Sequence, residues 1–318
     1  MSPDRIETEV DGRRLTLSNL DKVLYPAGGF TKGAVIDYYA RIAEVMLPHL
    51  KDRPVTFFRF PDGVSGKSFV EKHVPSHAPA WVQTVKVPTS GTGWGRSGEG
   101  GRAGKGGGRA GKEGTVEYAV VQDRPTLIWA ANLAAIELHV PLWHAGRQRP
   151  LPGRPDHMVF DLDPGPGTSI VECCRVASWI FDRLPARGRQ PVAKTSGSKG
   201  LQVYVKLPAR TEWETARERA LHIAQSVEKD HPELVVTNMT RALRRDRVLI
   251  DWSQNHQAKT TVAVYSLRGV ADPSVSTPVT WDEVRDCERH GDGGLLRFSP
   301  AEVLDRVERH GDLFAPLA

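Results

Sequence analysis

The sequence predicts an α/β or α+β fold with mixed sheets, in a single module covering residues 1–318. Strand-like and helix-like segments alternate, but without the regular βαβ cadence of a doubly wound parallel sheet. No internal repeat is present. Hydrophobic residues make up 39% and charged residues 25%, the balance of an ordinary globular protein. No segment approaches the roughly 18 uninterrupted apolar residues of a membrane helix. The polar, acid-bearing start, MSPDRIETEV, reads as neither signal nor transit peptide, so a cytoplasmic location close to the nucleoid is expected.

A strand and turn are expected over residues 6–17. Thr31 then suits an N-cap, and Val35, Ile36, Tyr39, Ile42, Ala43 and Met46 recur at helical spacing, with Pro48 expected to end the helix. PVTFFRF at 54–60 reads as a strand. Residues 88–114 are dominated by glycine, between strands expected near 81–87 and 115–121. They carry Arg96, Arg102, Lys105, Arg109 and Lys112, with Lys86 at the edge, and read as a tolerated insertion or as a basic flap for nucleic-acid backbone. A helix over 126–136 should run into a strand carrying His139. Further on come a strand at 157–163, a helix at 168–184, a strand–turn–strand at 191–207 and a helix at 212–228. A strand ending near Asp251, another at 260–266 and a peripheral helical region from 280 complete the prediction.

Three cysteines, Cys173, Cys174 and Cys287, make neither a disulfide framework nor a zinc site and read as buried thiols. The net charge of +5, 43 basic against 38 acidic residues, is compatible with a polyanionic partner.

The chemistry concentrates in a few segments. In His157-Met158-Val159-Phe160-Asp161-Leu162-Asp163-Pro164-Gly165, an apolar run delivers two aspartates at i and i+2. In a strand they share a face. Side-by-side carboxylates repel unless a cation lies between them, and an all-oxygen donor set suits Mg²⁺ or Mn²⁺. The same Asp-x-Asp also serves as turn chemistry before Pro-Gly. Asp251, closing the apolar run Val248-Leu249-Ile250, is the candidate third ligand, since such an aspartate is costly to bury unpaired. Three aspartates from two strands match two-metal phosphoryl transfer. TSGSKG at 195–200 puts Ser196 and Lys199 on a glycine turn that suits phosphate, though a plain hairpin reads the same and the Walker A spacing is missing. Arg241, Arg244, Arg245 and Arg247 form either a solvated turn or a polyanion contact.

In this order, DLDPGPG, TSGSKGL and IDWSQN-x4-KTTVAVYSLRG resemble the polymerase domain of bacterial ATP-dependent DNA ligase D, of the archaeo-eukaryotic primase superfamily. The resemblance implies a primase-polymerase core of two apposed sheets flanked by helices, with the active site between them. It also implies that Asp161, Asp163 and Asp251 hold two Mn²⁺ or Mg²⁺ ions, with His139 in the active site. Ser196, Lys199, Gln202 and Arg268 would meet the triphosphate of an NTP or dNTP, and Arg244, Gln254 and Lys259 would line the nucleotide pocket. Asn19, Lys22 and Lys32 match positions that receive the 5′-phosphate of a DNA end, and Phe69 and Lys72 the segment that stacks on and grips the template. The implied activity is nucleotide addition to a primer 3′-OH, ribonucleotides preferred, in double-strand-break or gap repair. Ku and a separate ligase are the implied partners. The sequence departs from the family pattern at Gln202, where the glycine-loop strand usually reads GLH, and at Val70, where a second phenylalanine is common. It departs again at Val270, which replaces a second arginine, and at Phe57 and Phe58, in a stretch that is basic in some relatives. Two other functions fit the same features: a catalytically weak scaffold for DNA ends or Ku, and a de novo primase.

Overall fold

The computed structural model describes residues 5–88, 114–145, 151–184 and 190–318. The basic glycine-rich stretch therefore lies, apart from its edges, outside the described residues. Two hairpins open the chain, β1 (Arg5–Val10) with β2 (Arg13–Ser18) and β3 (Val23–Tyr25) with β4 (Phe30–Thr31). Helix α1 (Lys32–Leu50) starts where the Thr31 hydroxyl accepts the Ala34 amide, the cap the sequence predicts. It does not stop at Pro48 but runs on to Leu50. Proline removes one hydrogen bond of the last turn, and the burial of His49 and Leu50 holds that turn in place.

The middle of the chain carries β5 (Pro54–Arg59), β6 (Phe69–Glu71), β7 (Thr84–Pro88) and β8 (Thr115–Val120). Helix α2 (Arg124–Asn132), capped by Asp123, follows. It ends before the expected residue 136 because Ala134 turns to a φ of 56° and gives its carbonyl to the Phe60 amide. Strand β9 (Ala135–Val140) begins at once. Next are β10 (His157–Pro164), α3 (Ile170–Arg183), β11 (Val192–Thr195), β12 (Leu201–Lys206), α4 (Trp213–Asp230), β13 (Val235–Val236) and β14 (Val248–Asp251). The strand expected over 260–266 shrinks to β15 (Thr261–Val262). Tyr265, at a φ of 64°, donates its amide to the Ser276 carbonyl and leads the chain away. Short strands β16 (Leu267–Arg268), β17 (Ser274–Val275) and β18 (Pro278–Val279) precede α5 (Trp281–His290) and α6 (Pro300–His310).

Two six-stranded sheets carry the architecture. The first runs β13-β14-β10-β12-β11-β18, antiparallel except for the parallel pair β13–β14. The second runs β15-β9-β5-β8-β7 with β6 paired to β5, and every described pair in it is antiparallel. Alternation explains the layers. Phe160 and Leu162 of β10 turn to the side of the first sheet covered by α3 and α4, and Phe57 of β5 packs edge-on to Trp129 of α2. The opposite faces meet each other: Tyr204 of β12 is 3.0 Å from the Thr261 hydroxyl of β15. The fold is thus the two-sheet primase-polymerase arrangement that the resemblance implies.

The C-terminal region is helical as expected but not peripheral throughout. Phe314 and Leu317 are buried. The Phe314 ring stands 5.2 Å from that of His49 and 5.3 Å from that of Tyr204, wedged between an α1 side chain and the first sheet.

The turn after β10 is packed without room for a side chain. A Cβ on Gly165 would sit 1.7 Å from the Arg244 carbonyl oxygen and 2.7 Å from that of Arg247. The Gly165 amide also bonds the Arg247 carbonyl at 2.9 Å. Gly165→Ala should therefore destabilise the protein by about 2–3 kcal/mol, the scale of overpacking a tight site. Urea denaturation measures this, and unchanged stability would mean that the turn is not held against residues 244–247.

Candidate active site

The first sheet's inner face carries a polar row. In the ladder Lys194 stands opposite Gln202, Gln202 opposite Asp161, and Asp161 opposite Asp251. Directly opposed residues of antiparallel strands project to the same side, with strands about 4.8 Å apart. Asp163 lies two residues beyond Asp161 on the same face, so the register puts the three predicted aspartates on one face of two adjacent strands. Asp251 is buried and closes β14, and Asp163 is exposed at the mouth.

Each deep carboxylate is held. Asp251 Oδ1 accepts the Ser253 amide at 2.9 Å and its hydroxyl at 2.5 Å, while Oδ2 accepts the Gln254 side-chain amide at 3.0 Å. Asp161 Oδ1 accepts Gln202 Nε2 at 2.9 Å. Burial, and next the negative charge of Asp163, push the Asp161 carboxyl up to about 7; Asp251 adds to this, and Gln202 and Lys194 oppose it. Among the described residues, no three His, Cys, Asp or Glu side chains are drawn together at coordination distance. What fits a divalent cation is the donor set: crowded oxygen-only carboxylates, one of them pushed up by burial and by its acidic neighbours.

The glycine turn adjoins the row. Ser196 Oγ accepts the amides of Ser198 and Gly200 at 3.2 and 3.0 Å, so those two amides are spent inside the turn. The Ser196 hydroxyl proton and the exposed Lys199 ammonium remain as donors. Gly197, at a φ of 68°, packs so closely that a Cβ would meet Arg268 Cγ and the Ser276 amide at 2.7 Å. Arg268 Nη1 donates to the Ser196 carbonyl, and Arg268 Nε lies 3.2 Å from Glu137 Oε1 as an ion pair without an aligned hydrogen bond.

His139 and Glu137 project from β9 across the cleft. His139 Nε2 is 2.8 Å from Glu137 Oε2, and the imidazole lies against Phe58, centroids 4.2 Å apart. Burial lowers the His139 pKa against the pull of Glu137. Burial alone would raise Glu137, but the bond from His139, the Arg268 charge and the Gly269 amide hold it at about 2. Lys194 is fully buried, donates to Ser276 Oγ at 2.7 Å, and is pushed down by that burial to about 7.

The remaining predicted residues fall in three places. Arg244 donates to the Met239 carbonyl at 2.6 Å, in a basic turn tied to the turn after β10 through Asp246 N to Pro166 O at 2.7 Å. Gln254 is committed to Asp251, and Lys259 follows on the next turn, where its amide bonds the His256 carbonyl. Asn19, Lys22 and Lys32 cluster: the Lys22 amide bonds the Asn19 carbonyl, and the Lys32 amide bonds that of Lys22. The Lys32 ammonium is buried, donates to the Ser18 carbonyl at 2.6 Å, and is lowered to about 8 by burial and by the charges of Lys22 and Arg59. Phe69 is 53% exposed on β6, an unpacked aromatic face, with Lys72 just beyond that strand.

Sequence reasoning missed Glu137, Lys194, Tyr204 and Arg59. Glu137 could have been found two residues before His139, on the same strand face. Lys194 immediately precedes TSGSKG, but nothing local distinguishes it from a solvated lysine. A cavity of about 680 Å³ opens at the strand ends, between Gly165–Ile170, Gly197–Gly200 and Gly293–Phe298. None of the three aspartates lines it, so the site is assigned from the carboxylate row and not from cavity size.

Two facing sheets, a three-aspartate row and an adjoining Ser-Gly-Ser-Lys turn define a nucleotidyltransferase of the primase-polymerase class. Residues 31–314 match the family described as LigD, primase-polymerase domain. The chain is 42% identical over 307 residues to the multifunctional non-homologous end joining protein LigD of Mycolicibacterium smegmatis, covering 96% of this chain and 36% of that protein. It is 29% identical over 299 residues to the bifunctional LigD of Bacillus subtilis, covering 94% of this chain and 43% of that protein. The chain thus spans less than half the length of these relatives. A solved structure, the polymerase domain from Mycobacterium tuberculosis ligase D in complex with DNA, matches with a TM-score of 0.81 at 40% identity, covering 96% of this chain and 98% of that one. The chain belongs to the LigD primase-polymerase domain family.

The raised Asp161 carboxyl has a measurable consequence. Between its unfolded value near 4 and its folded value of about 7, the native state binds a proton that the unfolded chain does not, so stability without metal falls as pH rises through that window. A cation bound to the ionised carboxylates must displace that proton. Mn²⁺ should therefore raise Tm more at pH 8 than at pH 6 in a thermal-shift series, and Asp161→Asn should remove most of the gain. An equal Mn²⁺ shift in that variant would take Asp161 out of the metal site.

Proposed function

We propose that this chain adds nucleotides to a primer 3′-OH at DNA ends or gaps, with Asp161, Asp163 and Asp251 holding two Mn²⁺ or Mg²⁺ ions. The placement of Asp161 opposite Asp251, with Ser196, Lys199 and Arg268 beside them, carries this reading. The ions, when bound, would lower the pKa of the attacking hydroxyl and neutralise charge on the leaving pyrophosphate.

The chain's own residues supply the rest. Ser196 donates its hydroxyl proton, and Lys199 and Arg268 their charge, to the triphosphate of an incoming NTP or dNTP. Glu137 keeps His139 and Arg268 in place on the opposite wall, so the donors there are oriented before substrate arrives. Arg244, Gln254 and Lys259 line the side where the nucleotide sits. Asn19, Lys22 and Lys32 receive the 5′-phosphate of a downstream end; Arg59, beside Lys32, supplies positive charge where Phe57 and Phe58 do not. Phe69 stacks on a template base, alone because Val70 follows it, and Lys72 contacts the backbone. Ribonucleotides are the preferred substrate, and Ku and an ATP-dependent DNA ligase are the partners in end joining.

The test is extension of a 5′-labelled primer on a gapped, 5′-phosphorylated duplex, with ribo- and deoxyribonucleotides in turn and with Mn²⁺ or Mg²⁺. Metal-dependent addition, stronger with ribonucleotides, is expected. Asp251→Ala should cut the rate by at least about 10²–10³-fold, the scale of losing one preorganised electrostatic contact, with DNA binding retained. Full extension by that variant would remove Asp251 from the site. DNA binding by the unmodified chain without extension under any condition would favour an end-binding scaffold.

A further inference from the structure

Gln202 is 3% exposed, and both ends of its amide are engaged inside the protein. Nε2 meets Asp161 Oδ1 at 2.9 Å, and Oε1 meets the Tyr204 hydroxyl at 3.1 Å. The Tyr204 oxygen is in turn 3.0 Å from Thr261 Oγ1, on the opposite sheet.

Donor and acceptor chemistry gives this chain one direction. A carboxylate that holds a cation is ionised and only accepts, so in that form the amide must present its nitrogen to Asp161 and its oxygen to Tyr204, the arrangement the structure has. A phenol has a single proton, and it is therefore committed to Gln202. The contact with Thr261 must then run the other way, the threonine hydroxyl donating to the tyrosine oxygen. Every proton points toward Asp161, and the last donor fixes Oδ1. The opposite amide orientation would set Oε1 against the carboxylate oxygen, acceptor against acceptor.

We propose that Tyr204 and Thr261 act through Gln202 as positioning residues for Asp161, settling which carboxylate oxygen is tied to the sheet and which is presented to a divalent cation. The inference rests on the metal reading above and deepens it. It assigns Gln202 to the carboxylate, where the family resemblance points to the triphosphate. It also makes the orientation of a ligand on the first sheet depend on a hydroxyl of the second. Removing the tyrosine hydroxyl leaves a buried amide oxygen without a partner and frees the amide to turn.

The experiment measures Mn²⁺ binding to the whole chain, without nucleotide or DNA, by the electron paramagnetic resonance signal of free Mn²⁺. The proteins are the unmodified chain, Tyr204→Phe, Gln202→Leu, the double variant and Asp161→Ala, each checked for folding by circular dichroism. Tyr204→Phe and Gln202→Leu should each weaken binding about ten-fold or more, the usual effect of removing a group that orients a metal ligand. The double variant should be no weaker than Gln202→Leu, because residues acting along one chain do not add. If Tyr204→Phe does not fold, Thr261→Val takes its place, with weaker Mn²⁺ binding again expected. Binding by Tyr204→Phe equal to that of the unmodified chain, or losses that multiply in the double variant, would overturn the inference while Asp161→Ala still loses the metal. Undiminished binding by Asp161→Ala would overturn the metal reading and this inference with it.

Discussion

Like charges crowded into a poorly solvated place repel, and a protein that needs them there must build everything else around that repulsion. Here the crowding follows from strand register. Asp161 occupies the middle of β10, flanked by β12 and β14, and its partner across β14 is Asp251. A register slip of one residue would turn Asp161 toward the helices and bring Leu162 into the cleft. The apolar residues between the acids are thus as much a part of the site as the acids themselves. Phe160 and Leu162 are fully buried against the helical layer and hold the alternation in phase.

The facing sheet answers with a balance of its own. Glu137 adds a further negative charge to an already acidic cleft, but it spends that charge locally on His139, Arg268 and the Gly269 amide. The arginine is therefore held beside Glu137 by charge and still reaches the Ser196 carbonyl through Nη1, which ties the glycine turn to the opposite wall. The basic turn at 241–247 is tied just as firmly to the turn after β10 through the Gly165 and Asp246 amides. Backbone hydrogen bonds, more than side-chain contacts, decide where the positive groups stand relative to the aspartates.

Much of this was legible in the chain. The i, i+2 aspartates needed only strand periodicity, and Asp251 was exposed as a candidate by the cost of ending an apolar strand on a charge. The caps at Thr31 and Asp123 follow from local chemistry. Tertiary context decided the rest. Pro48 is tolerated because the residues after it are buried, and the strand after Lys259 is cut short by a pairing with Ser276, remote in sequence. The bond from Gln202 to Asp161 could not be read from the chain because neighbours across the ladder are set by register, which no local pattern encodes. Lys194 and Tyr204 were invisible for the same reason. Phe314 and Leu317 read as a tail because their contacts, with His49, Tyr204 and His157, lie on elements far upstream.

That last wedge bears on the order of assembly. The first sheet places β10 between strands that come later in the chain, and β18 joins its far edge later still. Three of its five pairings join strands that are not consecutive in the chain, so long loops must close before the sheet is complete, the situation in which folding is slow. With Phe314 and Leu317 closing the space between the layers, a ribosome-bound chain can form α1 and the early hairpins but not the finished cleft. The carboxylate row gains its enclosure only when nearly the whole domain has emerged.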